Sequence, residues 1–143
     1  MNSFKAFSIL FCVATCGRAQ EGTYDRQPSE MLYQFYHQYI TEGDSSPTRR
    51  SIGVQDSLLR ANCTVELMDK LDADIKSGRL DWDPFVRAQD FDVNWLKTLQ
   101  VKQEGATGWF VVSFLEDFTQ RWTHVRLKVA YTNRRFRISE VEY

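Results

Sequence analysis

Histidine and cysteine are scarce in this 143-residue chain, and the scarcity removes whole classes of chemistry. Only His37 and His124 are present. Neither stands at a spacing from a serine, cysteine or aspartate that makes a nucleophile motif, so no catalytic triad is expected. A zinc centre needs three or four nitrogen or sulfur ligands at recognisable intervals, and these histidines with Cys63 offer none. Cys12 and Cys16 fall in the first stretch of the chain, which leaves Cys63 as the single thiol of a processed protein and excludes an intramolecular disulfide. A lone cysteine of this kind reads as a small buried hydrophobe, with an intermolecular bridge or a reactive thiol as the alternatives. Glycine-rich phosphate cradles are missing, since the close pair Gly105 and Gly108 belongs to a hairpin turn. Positive charge is also short. The net charge is −1, and the basic clusters Arg49-Arg50 and Arg134-Arg135 with Arg137 are small, which argues against nucleic acid as a partner.

Long apolar runs are lacking too. The longest near the start, Ala6 to Ala14, falls well short of the roughly eighteen to twenty residues that a membrane-spanning helix needs. Preceded by Lys5 and followed by the small residues of Gly17-Arg18-Ala19, it reads as a cleaved export signal over residues 1–19, with residues 20–143 as the exported domain. Val13-Ala14-Thr15-Cys16 also approximates a bacterial lipobox with a poor residue at Thr15, so lipid attachment through Cys16 stands as an alternative. Removing 1–19 takes two of 18 basic residues and none of 19 acidic ones, leaving a charge near −3. The expected location is the periplasm or the exterior.

What the chain does have is a helical half followed by a β-rich half. Ser29 as N-cap and Glu30 in the first turn open a helix whose Leu32, Phe35, Tyr36, Tyr39 and Ile40 form one apolar stripe. Thr41 to Gly53 reads as a loop, Asp56 to Ala61 as a short helix, and Thr64 to Lys76 as a longer one burying Leu67, Leu71 and Ile75 and stopping at Gly78. Beyond Asp90 the period changes from 3.6 to 2. Strands are expected near Leu99–Lys102, Trp109–Glu116, Trp122–Tyr131 and Arg135–Tyr143, the last with a bulge near Ser139 because Phe136 and Ile138 differ in parity from Val141 and Tyr143. This order predicts an α+β domain in which N-terminal helices close the concave side of a curved antiparallel sheet of about four strands.

Between the halves lies Leu80 to Phe91, where Asp81, Trp82, Asp83, Pro84 and Phe85 crowd carboxylates against aromatics. Asp81, Asp83, Asp90 and Asp92 could offer oxygen to calcium, but the glycine turn and closing glutamate of a calcium loop are missing, so caps and loop hydrogen bonds are the expected use. The helix Phe35-Tyr36-His37-Gln38-Tyr39-Ile40, the loop Asp83-Pro84-Phe85 with Ala88-Gln89-Asp90, and the strand Phe136-Arg137-Ile138-Ser139 together resemble a family of small exported bacterial proteins of unknown function. That family has a nuclear-transport-factor-two-like cone fold. It includes lipoproteins and the third family of immunity proteins that neutralise type VI secretion amidase effectors.

The resemblance implies a pocket inside a cone, for which Tyr36, Asp90, Trp109 and Phe114 are the candidate lining residues. An enzyme would use Asp90 as a buried base with Tyr36 or Tyr39 as donor. Tyrosines on an apolar helical stripe are more often core residues, and an aspartate beside Gln89 more often bonds its own loop. The reading preferred is therefore a non-catalytic periplasmic binding protein, an immunity protein that covers the active-site cleft of a secreted peptidoglycan amidase. It needs no cofactor and no metal. Candidate contacts are Asp81, Trp82 and Asp83 at the helix–sheet junction and Glu42, Asp44, Arg49 and Arg50 in the long loop. A small-ligand carrier, an envelope lipoprotein of another role and a homodimer are the alternatives.

Overall fold

The computed structural model describes residues 27–45 and 49–143, apart from the side chains of 49–52; the expected signal 1–19, with Lys5 and Cys16, lies outside the described residues. The first helix, α1, spans Pro28–Asp44. Gln27 occupies the N-cap without a side-chain bond, and Ser29 lies inside the first turn, which corrects the expected cap. The cause is Pro28, whose missing N–H and fixed φ suit the first helical position, so the cap must precede it. Met31, Leu32, Phe35, Tyr36, Tyr39 and Ile40 form the buried stripe.

The expected loop from Thr41 to Gly53 is mostly helix. α1 continues to Asp44 and α2 runs Arg49–Asn62, absorbing the short helix expected at Asp56–Ala61. Gly43, which reads as a helix breaker, is instead a packing glycine: a Cβ there would overlap the ring of Phe91. Gly53 has nothing within 4 Å of its would-be Cβ and is simply carried within α2.

α3 spans Val65–Lys76, with Thr64 as N-cap accepting from the Leu67 N–H at 3.3 Å. Gly78, at φ 71°, supplies the left-handed turn that ends it. Leu67 and Leu71 are buried as expected, but Ile75 is 57% exposed and Asp74 faces inward at 6%. Each four-residue step overshoots a helical turn by about 40°, so a stripe extended by fours rotates off the core face.

A short 3₁₀ helix, Val93–Lys97, is capped by Asp92, whose Oδ1 accepts from the Asn94 N–H at 2.8 Å. It stacks Trp95 on Phe114 at 4.8 Å. The sheet follows as β1 (Gln100–Glu104), β2 (Trp109–Glu116), β3 (Arg121–Thr132) and β4 (Arg135–Val141), antiparallel and in chain order. Lys128 pairs with Glu140 and Val129 with Ile138, so Ser139 is the extra residue of the bulge read from the sequence. Phe110, Val112, Phe114, Val125, Leu127, Ile138 and Val141 face the helices and are buried. Helices on one face of a four-stranded antiparallel sheet make this the expected α+β domain.

The start of α3 is seated on β4. Cys63 bridges Ile138, and the Thr64 N–H donates to the Ile138 carbonyl at 2.9 Å. Cys63 is 1% exposed, and burial pushes its thiol up to about 12. Among the described residues no helix is long and apolar enough to cross a membrane.

Candidate functional site

The 80–91 loop is fixed by its own backbone before any side chain acts. The Asp83 N–H donates to the Ala88 carbonyl at 2.9 Å, and the Arg87 N–H to the Asp83 carbonyl at 2.7 Å. Arg87 accepts a left-handed conformation, φ 55°, to close this turn. Phe85 and Val86 are each 1% exposed, and Phe85 wedges against Phe35 and Tyr39 with ring centroids 5.6 and 5.8 Å away. The carboxylate of Asp83 then locks loop to helix. Its Oδ2 accepts from the Tyr39 hydroxyl at 2.5 Å and its Oδ1 from the Phe85 N–H at 2.8 Å. Burial raises the Asp83 pKa, opposed in part by the Tyr39 hydroxyl and the Phe85 and Val86 amides. Burial, and then the neighbouring Asp83 charge, raise that of Tyr39, which keeps it a donor.

Outside this lock, α2, α3 and the loop enclose an open cleft of about 570 Å³. Leu59, Met68, Leu71, Leu80, Trp82 and Phe85 give it apolar walls, and Asp56, Asp72 and Asp81 stand around them with Asp83. No lysine, arginine or histidine is among the described residues that line it. Asp56 is itself paired with Arg60 at 2.8 Å. Trp82 packs edge-on against Tyr143, centroids 6.3 Å apart. The Tyr143 hydroxyl donates to Asp74 on α3, which also accepts from Arg79 and lies 3.7 Å from the Lys70 ammonium. The Tyr143 hydrogen bond, with Arg79 and Lys70 behind it, holds the Asp74 carboxyl below its ordinary value against the opposing effect of desolvation. Arg87 closes the ring from the other side, donating to the Glu142 carbonyl at 3.2 Å. The cleft wall is thus tied to α1, to α3 and to the end of the sheet.

The structure brings Asp81, Trp82 and Asp83 together at this cleft, but it uses Asp83 for the lock rather than leaving it open to a partner. Glu42 and Asp44 sit on the last turn of α1 and do not line it. Arg49 and Arg50 belong to the first turn of α2, with side chains outside the described residues. The expected interior pocket is not assembled. Tyr36 and Phe114 are fully buried core residues. Trp109 has the opposite parity to Phe110, Val112 and Phe114, so it stands on the far face of the sheet. There Arg126 lies over its ring at 4.2 Å and Lys128 at 5.5 Å. Asp90 is exposed, and the carboxylate bonded to Tyr39 is Asp83 instead. The Tyr36 hydroxyl, buried beside Cys63 and Asp83, has no hydrogen-bond partner among the described residues.

Two features escape linear reading. Asp74 and Tyr143 meet across 69 residues, which no local pattern announces. Ser113 and His124 stand opposite each other in register, the hydroxyl 2.7 Å from Nδ1, with Trp122 stacked on the imidazole. Spacing alone separates that serine from any histidine; strand register is the only signal that joins them. Among the described residues no group of three or more potential ligands gathers to hold a metal.

Fold and site together define a helix-over-meander α+β domain with a lateral, acid-rimmed apolar cleft. The same fold occurs in the crystal structure of a protein of unknown function from Bacteroides thetaiotaomicron VPI-5482, with a TM-score of 0.72 and 25% identity over 83% of this chain and 91% of that one. No protein-family model matches the chain, and no curated protein does.

Proposed function

We propose that the exported chain is a non-catalytic binding protein of the periplasm, an immunity protein that covers the active-site cleft of a secreted peptidoglycan amidase. The observation that carries this reading is the acid-rimmed cleft, whose wall is rigid because Asp83 spends both carboxylate oxygens on Tyr39 and Phe85. A surface that holds its shape before contact loses little conformational freedom on binding. Its apolar walls supply contact area, and Asp72 and Asp81, with no opposing base among the described lining, favour a partner that presents lysine or arginine around an apolar centre.

The test is the purified exported chain mixed with the peptidoglycan amidase encoded beside its gene. A stoichiometric complex on size exclusion and loss of peptide-bond cleavage in isolated peptidoglycan are expected. Unimpaired cleavage with no complex overturns the reading. The cleft volume, about 570 Å³, also falls in the range of small-molecule sites. A carrier of a small amphipathic cation would show a rise in melting temperature with ligand in place of amidase inhibition.

A further inference from the structure

The turn that joins β2 to β3 carries the most exposed large apolar side chain of the described residues, Phe118 at 99%. The turn is closely tied. The Gln120 N–H donates to the Glu116 carbonyl at 2.8 Å, and its side-chain amide to the Asp117 carbonyl at 2.6 Å. The Thr119 hydroxyl takes one oxygen of the Glu116 carboxylate at 2.9 Å, and the Thr123 hydroxyl takes the other. Gln120 adopts φ 54° to complete the turn. Reversing a strand does not call for an apolar tip: the β3–β4 turn of this chain does it with Asn133 and Arg134. Here Thr119, Gln120 and Glu116 bond within the turn, and Phe118 with the Asp117 carboxylate is turned outward.

Beside the tip runs a groove of about 490 Å³. Phe91 and Trp95 line it together with Asp90, Asp92, Glu116 and Asp117, and no basic side chain is among its described lining. Along this groove Asp90, Asp92 and Asp117 outnumber Arg121, which stands opposite Glu116 at the base of the turn, and disfavour anionic lipid headgroups. They complement a protein surface with an aromatic-sized socket edged by lysine or arginine.

We infer that the β2–β3 tip is an anchor: Phe118 enters an apolar socket on the partner protein, while Asp90, Asp92 and Asp117 face basic side chains at its rim. This rests on the amidase-inhibitor reading and adds to the receiving cleft a projecting element suited to entering an enzyme's own cleft. Its solvent exposure means that Phe118→Ala unfolds at the wild-type temperature.

The experiment compares inhibition of the amidase by the wild-type exported chain, by Phe118→Ala and by the double variant Asp90→Asn, Asp117→Asn. Phe118→Ala is expected to weaken inhibition about 30-fold, the loss typical of a central aromatic anchor. The double variant is expected to slow association about tenfold at low salt and to flatten its salt dependence. Equal inhibition by wild type and Phe118→Ala overturns the anchor and leaves the inhibitor reading standing. No inhibition by the wild type overturns both. Binding to phosphatidylglycerol vesicles, or self-association, that Phe118→Ala abolishes would assign the ring to a different occupant and overturn the anchor as well.

Discussion

Asp83 and Asp74 each accept a hydrogen bond from a tyrosine hydroxyl, Tyr39 and Tyr143, yet their proton affinities move in opposite directions. Burial dominates at Asp83 and raises its pKa above the ordinary 3.8. At Asp74 the Tyr143 hydrogen bond and the cations Arg79 and Lys70 prevail and lower it. By linkage, ionised Asp83 costs stability at neutral pH, and that cost is relieved as pH falls through its folded value toward 3.8. Asp74 contributes stability above 3.8 that is lost as pH falls below 3.8 through its folded value. As pH is lowered, urea midpoints should therefore lose their gain on approach to 3.8 in Asp83→Asn and their drop below 3.8 in Asp74→Asn. Asp83→Ala, which leaves the Tyr39 hydroxyl and Phe85 N–H unpaired, is expected to cost about 1–3 kcal/mol in denaturant unfolding. The sequence marks Asp83 as a loop carboxylate beside aromatics. Its partner Tyr39 lies 44 residues earlier, so the choice between Asp83 and Asp90 rests on packing that no local spacing encodes.

Elements fail or hold for reasons that two glycines separate. In α1, Gly43 lets Phe91 lie against the helix, whereas Gly53 in α2 touches nothing. Gly43→Ala should displace Phe91 and destabilise by about 1–3 kcal/mol, while Gly53→Ala should stabilise by about 1 kcal/mol; opposite shifts in thermal midpoint check the pair. Arg134 at φ 62° follows Asn133 at φ 52° in the β3–β4 turn. Arg134→Gly is expected to gain about 0.5–1 kcal/mol in the same measurement, because glycine takes a left-handed conformation without steric cost. Linear reading treats glycine as punctuation and so ends α1 before Thr41, one turn short of Asp44, although Gly43 is where another element approaches. The bulge at Ser139, in contrast, was legible, because a change of parity inside one strand usually requires an inserted residue.

For the molecule as a whole, the switch of hydrophobic period from 3.6 to 2 was enough to give helices over an antiparallel sheet. The cleft was not readable, since α2, α3 and the 80–91 loop each contribute a few of its walls. Cys63 reports on the integrity of this assembly. Buried at the junction of α2 and α3 and bridged to Ile138 of β4, with its thiol pushed up to about 12 by burial, it should resist a thiol reagent at pH 8 and become labelled at the rate of global unfolding. The meander pairs every strand with its neighbour in the chain, so the sheet itself asks little of the folding search. Helix α3 is different, for its seat is Ile138, in the fourth strand of the meander, more than 70 residues further along the chain than Thr64. Until β4 is made, the greasy side of α3 lacks this seat, and that interval is when a holdase chaperone has most to grip.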